Sequence, residues 1–553
     1  MEASIHAHGG RLFLAGALGE DAHVAGVARA LQVASEVGWS TIGLGPCVSV
    51  QGFLRAIHTH RPDLVGISYR LTPETGESLL VELIAAVRAA GPRSCRFLFA
   101  GTPPLAERAR ALHFFERCFE GGESPEELAN FFRGKLSAGE KAEDYPQDFR
   151  SRLAWKAPFP LIRHHFGRPT IEETERGIEA IASAMALDVV SLGIDQDAQE
   201  NFYHPERQDS RRAGAGGVPV RSPEDYRRLY AASRRGNFPL LRAYSGTDDH
   251  LRLAEMYLDT FRNAWCATSL FWFGQLDRRG PLDVESSIRA HQQLMRWHAE
   301  REVPVELNEP HHWGMREASD VISVVSSFLS AYNARAMGVR DYIAQYMFNC
   351  PGGMSDRMDL AKMLACVEIG ESLAGPNFRM HRQTRTGLLS HPVDPDRARG
   401  HLGASVYLQM ALRPQIVHVV GFSEAHHATT AEELIQSCRM AHRAIANALG
   451  GMPDPTADPV VQRRKEHLIR EAKVTLEAIR RLVSAGESEP WTDPAVLARA
   501  VACGILDAPH LRGHPADRGG MITRILDGAS EAVDPQSGRI LSEDERLRGL
   551  EAA

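Results

Sequence analysis

RLFLAGALGEDAHVAG (11–26) decides the fold class of the first part of the chain. RLFLAGAL (11–18) is a short apolar run of strand length, and HVAGVARALQVASEVG, which follows, is an amphipathic helix closed by Gly38. The rhythm repeats outward from there. STIGLG is a second strand and VQGFLRAIHTH a helix. DLVGISYRL is a third strand and ESLLVELIAAVRAAG a helix. RFLFAG is a fourth strand, followed by LAERARALHFFERC and SPEELANFFRGKL as helices. Strands alternating with helices predict a doubly wound (flavodoxin-like) parallel sheet over residues 1–137.

Residues 138–157 are charged and lack strong periodicity, and are expected to be a linker. Beyond them the units lengthen. DVVSLGI, FPLLRAY, WCATSLFWF, VPVELN, DYIAQYMF, FRMHRQ and QIVHVVGF alternate with helical segments such as VISVVSSFLSAYNARAMG. Seven or eight strand–helix units predict a (β/α)8 TIM-type barrel over 158–452, with a second open sheet as the other architecture. Residues 453–553 are expected to be a helical and loop-rich extension packed on the barrel.

The chain has 553 residues, 43% of them hydrophobic, and a formal charge of −7. That balance argues against a general nucleic-acid surface or a polybasic membrane signal. No run of about 18 apolar residues exists to span a bilayer. The 8 cysteines show no C-x-x-C spacing, so zinc fingers, cysteine-ligated clusters and a disulfide framework are not expected, and a reducing cytoplasm fits. A small-molecule substrate is the expected partner, with a homodimer possible.

Asp21-Ala-His23-Val-Ala-Gly26 sits between the first strand and the first helix. A histidine at the C-terminal edge of a parallel sheet faces the crevice where such folds bind ligands. It can offer one ring nitrogen to a metal while an aspartate two residues earlier fixes the other. A glycine three residues on lets a bulky ligand approach the helix start. The other reading is an exposed loop histidine near a helix cap.

The loops after the third and fourth strands, at Ser68 and at Gly101-Thr102, strengthen the first reading. Together these segments resemble the cobalamin-binding domain that takes its cofactor with the benzimidazole displaced. The resemblance implies that His23 is the cobalt ligand and Asp21 its orienting partner. It places Gly26, Ser68, Gly101 and Thr102 along the nucleotide tail. The family's S-x-L and Gly-Gly become Ser68-Tyr69-Arg70-Leu71 and Gly101-Thr102 here.

Four polar clusters fall at barrel strand ends, where barrel chemistry sits. They are Asp195-Gln-Asp197, Tyr244 to Asp249, Glu306 to His312, and Glu424-Ala-His426-His427. A carboxylate there can hold an ammonium or act as a base, and a His-His pair beside a Glu can be a metal site. Set beside the first domain, PLLRAYSGTDD, VELNEPHHW, VVGFSEAHHATTAEE and ARAVACGILDAPHLRG resemble, in order, segments of the large subunit of glutamate mutase (methylaspartate mutase).

That resemblance implies an adenosylcobalamin-dependent carbon-skeleton mutase, an isomerase working by radical rearrangement. It makes Glu309 the contact of a substrate amino group and Glu424 a neighbour of the adenosyl ribose. Tyr244 stands where the family has a carboxylate-binding arginine, Phe202 lies in a second such stretch, and Val420 replaces a lysine. The expected substrate is therefore an amino acid or related small acid other than glutamate, with Arg242, Arg379, Arg382 and Arg385 either replacement carboxylate contacts or solvated and structural arginines. The alternatives are a B12-dependent aminomutase, which needs pyridoxal phosphate on a lysine, and a methyl-carrying or non-catalytic cobalamin-binding protein.

Overall fold

The computed structural model describes residues 11–91, 95–123, 125–132, 145–483, 489–516 and 519–552. The chain divides into two compact units, Met1–Asp144 and Tyr145–Ala553.

The first unit is built on five parallel strands: β1 Leu12–Leu18, β2 Ser40–Val48, β3 Leu64–Tyr69, β4 Arg96–Gly101 and β5 Arg117–Phe119. Their order is β2-β1-β3-β4-β5. Successive side chains of β1 feed two separate cores. Leu14 and Leu18 pack with helices Val50–His60, Pro73–Ala89 and Pro103–Ala111, while Phe13 and Ala15 pack with helices Ala25–Glu36 and Pro125–Phe132. A sheet buried on both faces is what the near-continuous apolar runs require. β5 corrects the sequence reading. The stretch expected to be one helix ends at Ala111, and Arg117–Phe119 pairs with β4. The first crossover runs from β1 to β2 on one side, and the next runs from β2 back past β1 to β3 on the other. The ligand crevice of such a sheet therefore opens between the C-terminal ends of β1 and β3.

The second unit holds an eight-stranded, all-parallel, nearly closed barrel. Its strands are β6 Leu161–Phe166, β7 Val189–Leu192, β8 Leu240–Arg242, β9 Cys266–Thr268, β10 Val305–Leu307, β11 Asp341–Phe348, β12 Arg379–Thr386 and β13 Ile416–His418. The open side between β8 and β9 is bridged by Tyr244 to Ala267, with Ser245 N donating to Ala267 O at 3.0 Å.

The N-terminal end of the barrel is plugged. Leu161, Val189, Leu240, Trp265, Ala267, Ile343 and Ile416 form one buried cluster with Phe149. Phe149 opens the helix Phe149–Lys156, inside the stretch expected to be a linker. Residues 138–144 of that stretch lie outside the described residues. From Tyr145 the chain belongs to the barrel unit. Arg152 donates to Pro146 O and Phe238 O, both at 2.9 Å, and Lys156 Nζ meets Asp188 Oδ2 at 2.5 Å. Charge concealed this helix because its basic side chains are paired inward instead of solvated.

The C-terminal extension lies against the barrel's outer helices. Helix Pro459–Arg480 packs on Asp320–Ala336 and Asp356–Glu371. Arg464 reaches Asp320 Oδ2 at 3.0 Å and Glu531 Oε1 at 2.6 Å. Glu531 belongs to the antiparallel hairpin β14 Thr523–Leu526 and β15 Ala529–Ala532. All eight cysteines are free thiols. Among the described residues no helix is long and apolar enough to cross a membrane.

Candidate functional site

At the C-terminal edge of the first sheet, His23 Nδ1 lies 2.7 Å from Asp21 Oδ1. The Asp21 side chain is fully buried, while that of His23 is 62% exposed. Asp21 is itself held: its Oδ1 accepts the His23 N–H at 2.9 Å and its Oδ2 the Arg70 N–H at 2.6 Å. A buried carboxylate accepting from Nδ1 sets the ring as the Nδ1–H tautomer. That leaves the Nε2 lone pair for an outside ligand. Arg70 follows β3, so Asp21 ties the loops after β1 and β3 together across the opening of the sheet.

The four other residues expected here separate by physical role. A Cβ at Gly26 would meet no atom within 4 Å, so nothing in the protein's own packing requires a glycine there. At Gly101 a Cβ would stand 2.7 Å from the Phe99 ring and 2.8 Å from Tyr69 O, so the sheet itself demands that glycine. Thr102 is the N-cap of helix Pro103–Ala111, and its side chain makes no cap hydrogen bond. Ser68 is buried in β3.

In the barrel, strand register sorts the side chains. Glu306 is paired with both Ala267 and Ile343, which belong to the plug, so Glu306 also points inward. Following the pairs Gln345–Gln383, Met347–Arg385, Arg385–His418, His418–Arg163, His165–Ser191 and Ser191–Arg242 around the barrel turns all of these toward the lumen. Tyr244 joins them through its bridge to Ala267. A barrel of this kind usually fills its interior with branched apolar layers. Here the floor is apolar, and above it the inward positions are mostly polar or charged, with Met347 an exception.

Above the floor is a buried ionic layer. Glu306 receives Arg163 Nη1 at 2.7 Å, Arg242 Nη2 at 3.1 and 3.2 Å, and Trp265 Nε1 at 2.6 Å. Burial alone would push its carboxyl up, but the two guanidiniums and the indole N–H outweigh it and hold the group at about 2. Burial and the nearby Arg242 lower Arg163 to about 9.

Arg163 Nη2 also lies 3.0 Å from His418 Nδ1 and 3.5 Å from His165 Nε2. Guanidinium groups only donate, so both ring nitrogens must present lone pairs. The two rings are therefore neutral, and burial together with the surrounding arginines keeps both well below the ordinary histidine range. His165 packs edge-on against His418 with ring centres 4.7 Å apart, and lies 5.4 Å from the Tyr244 ring. Arg242 sits over the Tyr244 ring at 4.5 Å.

Of the barrel residues expected from sequence, Tyr244 faces the lumen. Glu309 does not serve as a free substrate contact. Its Oε2 accepts Ser269 Oγ at 2.6 Å and Leu270 N–H at 2.8 Å, and its Oε1 accepts Phe271 N–H at 2.6 Å. It is a fully buried brace for the loop after β9, and burial raises its carboxyl to about 7 against those three donors. Glu424 Oε1 accepts Gly421 N–H at 2.9 Å and lies 3.2 Å from His164 Nε2, on the loop after β13.

The four arginines divide evenly. Arg379 pairs with Asp341, which Arg150 also meets beneath the barrel, and Arg382 forms a two-pronged pair with Glu371 at 2.6 and 2.8 Å. Both are structural. Arg242 and Arg385 face the lumen. The Arg385 side chain has no hydrogen bond or ion pair among the described residues, and its Nε is buried without a partner. Asp195 is bound by Arg221 at 2.6 and 2.8 Å, and Asp197 by Arg212, so neither waits for a ligand. His427 pairs with Glu433 at 2.9 Å, and Glu433 closes a helix capping box with Thr430.

Arg163, His165, His418, Gln345 and Gln383 were missed by sequence reading. His311, within an expected cluster, is tied to the lumen through Gln345, and Gln345 accepts from Gln383 at 3.0 Å. Several fully or nearly fully buried groups close by have unpartnered polar atoms: both side-chain atoms of Asn308, both ring nitrogens of His312, and Nε and Nη1 of Arg242. Buried polar atoms are rarely left so, and a cluster of them around a lumen marks a place for a ligand.

No protein-family model matches the chain, and no curated protein does. The solved structures to which it is similar include the BexX/CysO complex of Amycolatopsis orientalis. That match has 10% identity and a TM-score of 0.31, and covers 53% of this chain and 94% of the other. A rubisco-like protein (MtnW) of Alicyclobacillus acidocaldarius matches at 13% identity and a TM-score of 0.33, covering 59% and 73%. The cobalamin-dependent S-adenosylmethionine radical enzyme OxsB matches at 10% identity and a TM-score of 0.18, covering 89% and 66%. At these scores the barrel rests on its own strand pairings.

Proposed function

We propose that this chain is a cobalamin-dependent radical mutase acting on a small organic acid. A flavodoxin-like cobalamin-binding unit is joined to a barrel that holds the substrate. The observation that carries the reading is the Asp21–His23 pair. An exposed imidazole is oriented by a buried carboxylate at the opening of a parallel sheet, with its second nitrogen left for a ligand.

The residues present fit a corrinoid. Nε2 of His23 is a suitable nitrogen donor to cobalt, Gly26 leaves open space beside it, and the Thr102 side chain is free of a cap bond. When bound, adenosylcobalamin supplies a carbon-centred radical from its cobalt–carbon bond. The chain's own residues have simpler tasks. Asp21 holds the His23 proton on Nδ1 and keeps the ring in one orientation. In the barrel, Arg385 and Arg242 offer charge, and Tyr244, His165 and His418 offer neutral hydrogen-bonding groups around a lumen closed to water from below.

The unpartnered buried groups of that lumen favour an enzyme over a carrier, for which they would have no use. An aminomutase is less well supported. Lys362 is shut in by Asp359 at 2.9 Å and the Cys350 carbonyl at 2.6 Å, and Lys156 is held beneath the barrel. Among the described residues no lysine lies on the lumen face.

The test is reconstitution with adenosylcobalamin followed by anaerobic incubation with a panel of small acids. At least one acid is expected to raise the cob(II)alamin signal and return a rearranged isomer. A bound cofactor that never yields cob(II)alamin with any acid would leave only a carrier.

Gly26→Ala gives a second expectation. Alanine is favoured over glycine in a helix by about 1 kcal/mol or less, and the site has room for the methyl group. Thermal unfolding of the cofactor-free protein should therefore shift slightly upward, while cobalamin affinity falls several-fold. Unchanged affinity in a titration followed by absorbance would remove Gly26 from the binding groove.

A further inference from the structure

The lumen's charge is one-sided. Of the residues that register turns inward above the apolar floor, Arg163, Arg242 and Arg385 are cationic and only Glu306 is acidic; Asp341 and Arg379 pair with each other below it. Glu306 is fully buried and already receives four hydrogen bonds from Arg163, Arg242 and Trp265. An ammonium group needs acceptors and a negative field. The one lumen carboxylate has nothing left to give, and Glu309, the carboxylate expected to meet an amino group, is consumed by Ser269, Leu270 and Phe271.

The same geometry supplies donors in excess. Because Arg163 occupies His165 Nε2 and His418 Nδ1, each ring keeps its proton on the other nitrogen. His165 Nδ1–H and His418 Nε2–H have no protein partner among the described residues. His418 is the register neighbour of Arg385, whose guanidinium is unpaired. An unpaired guanidinium beside neutral imidazole N–H groups is a carboxylate-binding set.

We infer that the barrel takes a carboxylic acid that carries no ammonium group, with its carboxylate on Arg385 and the N–H donors of His165 and His418. This deepens the barrel half of the proposed function and does not depend on the cofactor. Arg163 is a positioning residue here, since it acts by fixing the tautomers of the two histidines. Glu424, the other carboxylate expected at a strand end, meets His164, which alternation along β6 turns away from the lumen.

The experiment is calorimetric titration of the full chain, without corrinoid, at neutral pH. The probes are unbranched mono- and dicarboxylates of three to six carbons, their 2-amino counterparts and their neutral amides. At least one acid is expected to bind tenfold or more tightly than its 2-amino counterpart, and its amide not to bind. Arg385→Gln should weaken that acid at least tenfold, and Arg385→Lys should restore part of the loss, with circular dichroism unchanged in both. Arg163→Gln should weaken it too and alter the ring-nitrogen shifts of His165 and His418 in protein labelled with nitrogen-15 histidine.

Tighter or equal binding of the amino acids overturns the inference. So does equal binding of acid and amide, binding indifferent to Arg385→Gln, or no binding by any acid. None of these results touches the cobalt ligand, which a separate spectroscopic signature reports.

Discussion

Glu306→Ala is expected to lower the unfolding free energy of the barrel unit by about 3–5 kcal/mol at neutral pH, the usual cost of removing one partner from a buried ionic group. The carboxylate lies between two fully buried guanidiniums and accepts an indole N–H. Without it Arg163 and Arg242 face each other inside the barrel with no counter-charge. Tryptophan emission during denaturation reports mainly on this unit, since Trp39 is the only one of the 7 tryptophans before residue 145.

The pH dependence has a definite sign. Glu306 ionises at about 2 in the folded protein against an ordinary 4.5. Its contribution is therefore complete above pH 4.5 and is lost as the pH falls through that value toward 2. The window is worth about 3 kcal/mol. Wild-type stability should fall in that range by more than that of the alanine variant. A loss below about 1 kcal/mol at neutral pH, with parallel acid profiles, would show that the barrel interior is hydrated and the ion pairs screened.

The same layer explains why half of the candidate site was hidden in the sequence. Strands were legible where both faces are apolar. LFLAGAL, LVGISY and RFLFAG announce β1, β3 and β4 because each feeds cores on two sides. LIRHHF (161–166) carries one arginine and two histidines in six residues, so it reads as no strand at all. It is nevertheless β6, and its alternate residues Arg163 and His165 enter the lumen. Periodicity reports hydrophobic burial, and burial paid for by ion pairs and hydrogen bonds leaves no such trace.

Glu309 shows the converse. Its place at a strand end is a sound topological clue, but the sequence does not reveal that three donors of the loop after β9 converge on it. Asp21 and His23 were legible because their partnership is local. Two residues of separation fix the geometry, and only the strand and helix on either side need to be recognised.

His23→Ala is expected to abolish histidine ligation of cobalt altogether. Among the residues at the opening of the first sheet, His23 joins an exposed ring to a fixed tautomer. With cob(II)alamin bound, the unpaired electron should couple to one axial nitrogen. Protein grown on nitrogen-15 histidine should then convert each three-line splitting into two lines. In His23→Ala the pattern should be indifferent to the label, because any remaining axial nitrogen would belong to the cofactor's own benzimidazole.

Asp21→Ala should keep the coupling but weaken cobalamin binding roughly 10–100-fold, the usual effect of removing the group that orients a ligating histidine. It also frees the Arg70 N–H, so part of that loss is loosening of the loop after β3. Asp21→Asn separates the two contributions: an amide oxygen can still accept from the backbone or the ring but carries no charge, so its affinity should fall between wild type and alanine. Splitting in the wild-type protein that does not respond to histidine labelling would remove His23 as the ligand, and with it the observation on which the proposed function rests.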